Sequence, residues 1–234
     1  MREIPVLPTH VHVSDMGEQA RSHMIPVGFS KKGVEPFFFD ARKFPYMLVL
    51  GEDNEVLGVW MDGLREWFVA HHVSYRFVDT DGVLSHAEGD PWVLRSLEDV
   101  EAYVLGLPPD PVQSDYLVLT SIAKTMNALS EQATAILNSF IVDERTRGKT
   151  VVIAVSELLR VKGIFDAWFT FLKNPGSGLW VGNGFGNQSI LQYGRTLPEY
   201  NRPAAHADGY VVARNVVTSV RLLEAESAAE AIEE

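Results

Sequence analysis

Three short, uninterrupted apolar runs most constrain what this chain can fold into: residues 46–50, 116–120 and 150–155. A strand with one face in water alternates apolar and polar residues, whereas a strand covered on both faces reads as a continuous apolar run. Helical spacing follows these runs. Val59, Trp60, Gly63, Leu64, Trp67, Phe68 and His71 fall on one face of a helix. Met126, Leu129, Ala133, Ile136, Leu137, Phe140 and Ile141 do the same, and residues 157–173 read as one further helix ended by Asn174-Pro175-Gly176. Residues 74–78 read as a strand closed by Asp79-Thr80-Asp81-Gly82. Ser96 and Asp99 form a capping box that opens a helix to about Leu105, and Gly106 with Pro108 and Pro109 stops it. Buried strands alternating with helices predict an α/β, doubly wound sheet covered on both faces.

The flanks differ from this centre. Residues 1–24 read as a linker or edge segment, with Pro5, Pro8, Gly17 and scattered His. Residues 26–40 look extended around a turn at 30–33, and Phe37, Phe38 and Phe39 suit a strand. Short strand-like pieces at 179–182, 189–193, 209–213 and 219–223 predict a final hairpin that extends the sheet. Residues 224–234 are rich in Ala and Glu and read as a solvated acidic tail. The main domain is therefore placed at 25–223.

With 234 residues, 46% of them hydrophobic, the chain can bury the core of one large domain. The formal net charge of −11 argues against nucleic acid as the main partner, because phosphate neutralisation needs clustered Lys and Arg. There is no cysteine, which excludes disulfides, thiolate metal sites and a cysteine nucleophile. No apolar run reaches the roughly 18 residues that span a bilayer.

The run at 46–50 ends in Gly51 and leads directly into an amphipathic helix, the setting of the phosphate-binding pattern G-x-x-x-x-G-K-[ST]. Counted from Gly51, the second glycine is Val56, the lysine is Leu57 and the magnesium-binding hydroxyl is Gly58. Between them stand Glu52, Asp53, Asn54 and Glu55, three of them carboxylates where a triphosphate needs amides and a cation. Placed at a helix N-terminus, these carboxylates complement the macrodipole that a phosphate would otherwise meet.

Several segments together resemble the FtsK/SpoIIIE superfamily, and within it the C-terminal ATPase module of the type VII (ESX) secretion ATPases EssC and EccC. Ile25-Pro26-Val27-Gly28-Phe29 with Glu35-Pro36-Phe37-Phe38-Phe39-Asp40 is similar to the lead-in of those modules. Pro45-Tyr46-Met47-Leu48-Val49-Leu50-Gly51 is similar to the strand entering their Walker A loop. Gly178-Leu179-Trp180-Val181-Gly182 with Asn187-Gln188-Ser189-Ile190-Leu191, and Asp208-Gly209-Tyr210-Val211-Val212, are similar to their late strands. The resemblance implies a P-loop NTPase (RecA/FtsK-like) sheet flanked by helices, with C-terminal antiparallel strands. It also implies ATP and magnesium, which this chain's motifs have lost. The strand that should carry the Walker B acid is followed by Thr120 and Ser121, and the alternative strand at 151–155 lacks an acid too and places Ser156 at its tip.

The expectation is therefore a catalytically degenerate module with no nucleotide cofactor and no metal. Its implied partners are secreted helical-hairpin substrates, through their C-terminal signal, and neighbouring ATPase modules of the same motor. The implied location is the cytoplasmic domain of a membrane-anchored protein, with membrane contact only through that parent. Two alternatives stay open at this level: an unusual ATPase served by a lysine such as Lys43, and a purely structural ring-assembly module. Other chemistry-bearing residues have simpler uses. His10, His12, His71 and His72 lack a third ligand at metal spacing. Arg145, Arg147 and Lys149 read as a solvated helix end, with a trans-acting arginine or a subunit contact as the sharper option. Trp180 reads as core, and Ser121 and Ser156 stand outside any G-x-S-x-G elbow.

Overall fold

The computed structural model describes residues 6–17, 23–85, 87–107, 115–204 and 207–226. The described strands are β1 (Met24–Ser30), β2 (Glu35–Asp40), β3 (Tyr46–Gly51), β4 (Tyr75–Val78), β5 (Val93–Leu94), β6 (Tyr116–Leu119), β7 (Val151–Glu157), β8 (Gly178–Val181), β9 (Asp208–Ala213) and β10 (Val216–Leu222). The helices are α1 (Asn54–Ala70), α2 (Leu97–Leu105), α3 (Ile122–Ala128), α4 (Glu131–Val142), α5 (Glu144–Arg147), α6 (Leu158–Val161) and α7 (Ala167–Lys173).

All the strands join one sheet in the order β2-β1-β10-β9-β8-β3-β7-β6-β4-β5. From β8 to β5 the neighbours are parallel, and from β2 to β8 they are antiparallel. The α/β class and the C-terminal antiparallel strands are therefore as the sequence predicts. The central strands are buried on both faces because their side chains alternate between two cores. Met47 and Val49 of β3 join one core with Trp60, Leu64, Trp67 and Phe68 of α1. Leu48 and Leu50 join the other with Val100 of α2, Met126 of α3, Phe140 of α4 and Trp168 of α7.

Several elements depart from their sequence-based boundaries. The helix expected over 157–173 is two short helices, because Gly163 takes φ +88° and the chain runs extended into α7. The face from Met126 to Ile141 spans α3 and α4, which break at Leu129, and Ser130 caps the second helix by accepting the Ala133 amide. No strand forms at 189–193. The Gln188 side chain takes that backbone instead: its Oε1 accepts the Ile190 and Leu191 amides at 2.8 and 2.7 Å, and its Nε2 donates to the Leu191 carbonyl at 3.0 Å.

The described residues at both ends pack on the body. Val11, Val13 and Met16 belong to the core under α1, and Val11 bridges to Leu223. Glu224 and Ala225 are buried, so the solvated tail expected from 224 does not begin there; residues 227–234 lie outside the described residues. No described helix is long and apolar enough to cross a membrane.

Candidate functional site

From β3 the chain crosses to β4 at the far side of the sheet, and β7 and β8 later settle on either side of β3. That makes β3 the point where the strand order reverses. In open α/β sheets the crevice beyond the carboxyl ends of the strands at such a point is where ligands bind. Gly51 is the last residue of β3 and pairs in register with Glu157 of β7 and Val181 of β8.

The segment from Gly51 to Gly58 is compact. The chain turns through Glu52 and Asp53, and α1 begins at Asn54, so Asn54, Glu55, Val56, Leu57 and Gly58 are helical. A phosphate-binding pattern instead keeps a loop between strand and helix whose amides face the ligand. Asp53 explains the early start. It is the N-cap, and its Oδ1 accepts the Val56 amide at 3.0 Å. The fourth helical residue and those after it turn their amides into the helix ladder.

The side chains fill the remaining space. Leu57, at the lysine position, is fully buried and lies on Gly51: a Cβ built on Gly51 would meet the Leu57 side chain at 3.1 Å. Val56 lies against Gly182, where a Cβ would sit 3.0 Å from its Cγ1. Gly58, at the hydroxyl position, faces the Val83 carbonyl, 2.7 Å from where its Cβ would be. Glu52 covers the turn at Gly184. Glu52, Asp53 and Glu55 are all exposed.

At the tip of β6, Thr120 is fully buried and its hydroxyl donates to the Val78 carbonyl and to Asp79 Oδ1, at 3.0 and 2.9 Å. Asp79 is buried as well and accepts the Val83 and Leu84 amides. Ser121 sits in the left-handed region at φ 48°, with its buried hydroxyl unpaired. Ser156 is buried and donates to the Glu157 carbonyl at 3.2 Å.

Two carboxylates were not singled out in the sequence. The sequence shows Asp79 only as part of a turn, yet its carboxylate oxygens organise the β4 tip. The sequence places Glu157 in a helix, yet β7 runs through it and pairs it in register with Gly51. Arg160 Nε holds the Glu157 carboxylate at 2.5 Å. The available signal for Glu157 is its place two residues behind the apolar run 151–155, across Ser156.

The other sequence candidates lie elsewhere. Lys43 precedes β3 at the opposite end of the strand from Gly51 and lines a cleft with Phe37, Phe44 and Arg214. Arg147 is not solvated, contrary to expectation. It is buried, donates to the Ile141 carbonyl at 2.6 Å and lies over the Tyr46 and Phe171 rings, and burial pulls its pKa down. Arg145 and Lys149 are exposed. His10 faces Glu224 at 3.3 Å, His71 stacks on Trp67, and no cluster of three or more metal-binding side chains occurs among the described residues. Trp180 is core, its Nε1 donating to the Asn183 carbonyl at 2.6 Å.

No family model and no curated protein matches the chain. Solved structures do. The cytoplasmic domain of EssC superposes with a TM-score of 0.76 at 15% identity, over 95% of this chain and 49% of that one. EssC (ATPases 2 and 3) from Geobacillus thermodenitrificans gives 0.68 at 16% identity, over 95% and 46%. Thermomonospora curvata EccC (ATPases 2 and 3), in complex with a signal sequence peptide, gives 0.68 at 16%, over 93% and 44%. This chain thus spans about half the length of those chains. At such identities the likeness concerns architecture. The chain has the fold of the cytoplasmic ATPase modules of the type VII secretion proteins EssC and EccC.

Proposed function

We propose that this chain is a module of a type VII secretion motor that holds no nucleotide and acts by binding partner proteins. The observation that carries this is the filled site at Gly51. The helix begins too early to leave a cradle of free amides, and Leu57 occupies the space on Gly51. The Val83 carbonyl leaves no room at position 58 for the serine or threonine that would hold magnesium. ATP with magnesium therefore does not fit these residues. The lysine and hydroxyl that hold the β and γ phosphates and the metal are absent, and exposed carboxylates at 52, 53 and 55 would repel a polyphosphate. At the Walker B position, Thr120 spends its hydroxyl on Val78 and Asp79.

Lys43 offers no substitute, because it precedes β3 and Gly51 ends it, and the strand alone spans about 17 Å over five steps at ~3.3 Å per residue. In the motor, the module's partners are the C-terminal signals of helical-hairpin substrates and the neighbouring ATPase modules. The EccC structure that carries a signal sequence peptide supports this reading by architecture. The parent would place the module on the cytoplasmic side of a membrane.

Calorimetry with millimolar Mg-ATP tests the reading. No saturable heat is expected for this chain, and saturable binding that requires the γ-phosphate would sink it.

A further inference from the structure

The end of β3 that faces away from Gly51 carries a cleft that the filled site does not explain. Its volume of about 350 Å³ is in the range of small-ligand pockets. Phe37, Phe38, Phe44 and Tyr46 line it with aromatic rings, and Val211 and Ala213 of β9 add aliphatic surface. All of these but Phe44 stand on hydrogen-bonded strands, so the cleft is pre-shaped. Phe44 precedes β3 and is 42% exposed.

The charge at this cleft runs against that of the chain. Acidic residues outnumber basic ones 31 to 20, yet Lys43 and Arg214 line the cleft, and neither has an ion-pair partner among the described residues. Asp40, the carboxylate in the lining, is already held by Arg42, whose Nε and Nη2 donate to its two oxygens at 2.8 and 2.5 Å. With that pair cancelled, Lys43 and Arg214 leave two positive charges uncompensated. Arg214 is also held at a backbone cost. It and Asn215 turn β9 into β10 with φ of +52° and +64°. Hairpin turns with positive φ at both central residues favour glycine or asparagine over arginine. Strained backbone of this kind clusters at ligand clamps.

We propose that this cleft binds a small aryl carboxylate: a flat aromatic body with one carboxylate at its edge. The aromatic walls take the body in offset and edge-on contacts. Lys43 and Arg214 take the carboxylate, the guanidinium through two parallel hydrogen bonds. The cleft and Gly51 lie at opposite ends of β3, so the proposal does not rest on the module's role in secretion.

Isothermal titration of the full chain with 2-naphthoate tests this. 2-Naphthylmethanol and 2-naphthylmethylammonium serve as neutral and cationic controls with the same ring. The naphthoate is expected to bind with a Kd of about 1 mM or below, and the controls about tenfold more weakly or not at all. Lys43→Gln combined with Arg214→Asn is expected to weaken the naphthoate about tenfold. Both positions are exposed, and asparagine tolerates positive φ, so the fold should persist, which circular dichroism checks. Ala213→Phe, which fills the cleft from β9 with a residue that suits a strand, is expected to abolish binding.

Equal binding of naphthoate and naphthylmethanol overturns the anion selection and the proposal with it. Naphthoate binding that ignores both the paired charge removal and Ala213→Phe overturns the cleft assignment. No saturable binding by calorimetry or by ligand-observed NMR overturns the site. Concentration-dependent dimerisation that Phe44→Glu abolishes would give the cleft to a second copy of this chain and overturn the proposal.

Discussion

At position 57 one side chain decides between two chemistries. A lysine there would need an anion to satisfy it, whereas Leu57 is fully buried with its side chain on Gly51. Leu57→Lys, the substitution that restores the motif on paper, is expected to destabilise the protein by about 2–5 kcal/mol. It removes a buried side chain and drives an ammonium into its place. It should confer no ATP affinity, since the early helix and the Val83 carbonyl remain. Urea denaturation and calorimetry with Mg-ATP check the two halves separately. The loss of the motif residues was legible in the sequence, because identity at a fixed count is all the motif demands. The collapse was not. It follows from Asp53 acting as N-cap, and an Asp before a helix is also what a motif loop with an acidic insert would show. Asp79 escaped notice for a related reason, since a turn sequence does not reveal that its carboxylate is buried and accepts two amides and a hydroxyl.

Among the elements, α1 shows how close packing overrides propensity. Gly63 lies in the helix interior, where alanine is favoured by about 1 kcal/mol. A Cβ at Gly63, however, would stand 2.8 Å from the Leu223 carbonyl and 3.0 Å from the Glu224 backbone. Neither is the end of a flexible side chain, so the helix or the end of β10 must move. Gly63→Ala is therefore expected to destabilise despite the gain in propensity, with a lower urea midpoint. Gly194→Ala, where a Cβ would meet nothing within 4 Å, is the control and should leave the stability within about 0.5 kcal/mol of the parent. The strands at the sheet centre were legible because burial on both faces writes itself into composition. The breaks in the helices were not, since Gly163 at φ +88° and the Ser130 cap act through backbone geometry that an apolar face continues across. The two residues of β5 were too few to carry any pattern, and the Gln188 turn replaces a strand that residues 189–193 would otherwise suit.

For the whole molecule, buried titrating groups set the pH range in which the sheet holds. On the acid side stands Asp208 at the start of β9. Burial alone would raise its pKa, but Lys31 and Arg221 bond its two oxygens, at 2.5 and 2.8 Å, and the net shift is downward. A folded pKa below the unfolded one means that this carboxylate stabilises above about pH 4 and loses that contribution as pH falls through its folded value. Arg221 also donates to the Thr9 carbonyl at 2.5 Å, so the same loss loosens the segment ahead of β1. Asp208→Asn should lower stability near neutrality, and its deficit against the parent should shrink as the pH is lowered toward 2.

The alkaline side has the opposite sign. Tyr75 and Tyr116 are both pushed up to about 12, mainly by burial, Tyr75 also by its hydrogen bond to Asp90 and Tyr116 by the charge of Asp115. Their folded pKa values lie above the unfolded value near 10, so their contribution is complete below about pH 10 and is lost as pH rises through 12. They sit side by side, since Phe68 of α1 stacks on both rings, at 5.5 and 4.7 Å between centroids, and Tyr75 pairs in register with Tyr116. Deprotonating either places a phenolate against the core that α1 covers. Phenolate absorbance followed alongside circular dichroism should therefore show these two tyrosines ionising together with unfolding. In Tyr116→Phe, which keeps the ring and removes the ionisation, the loss of stability between pH 10 and 12 should be shallower. An unchanged alkaline limb would mean that some other group sets it.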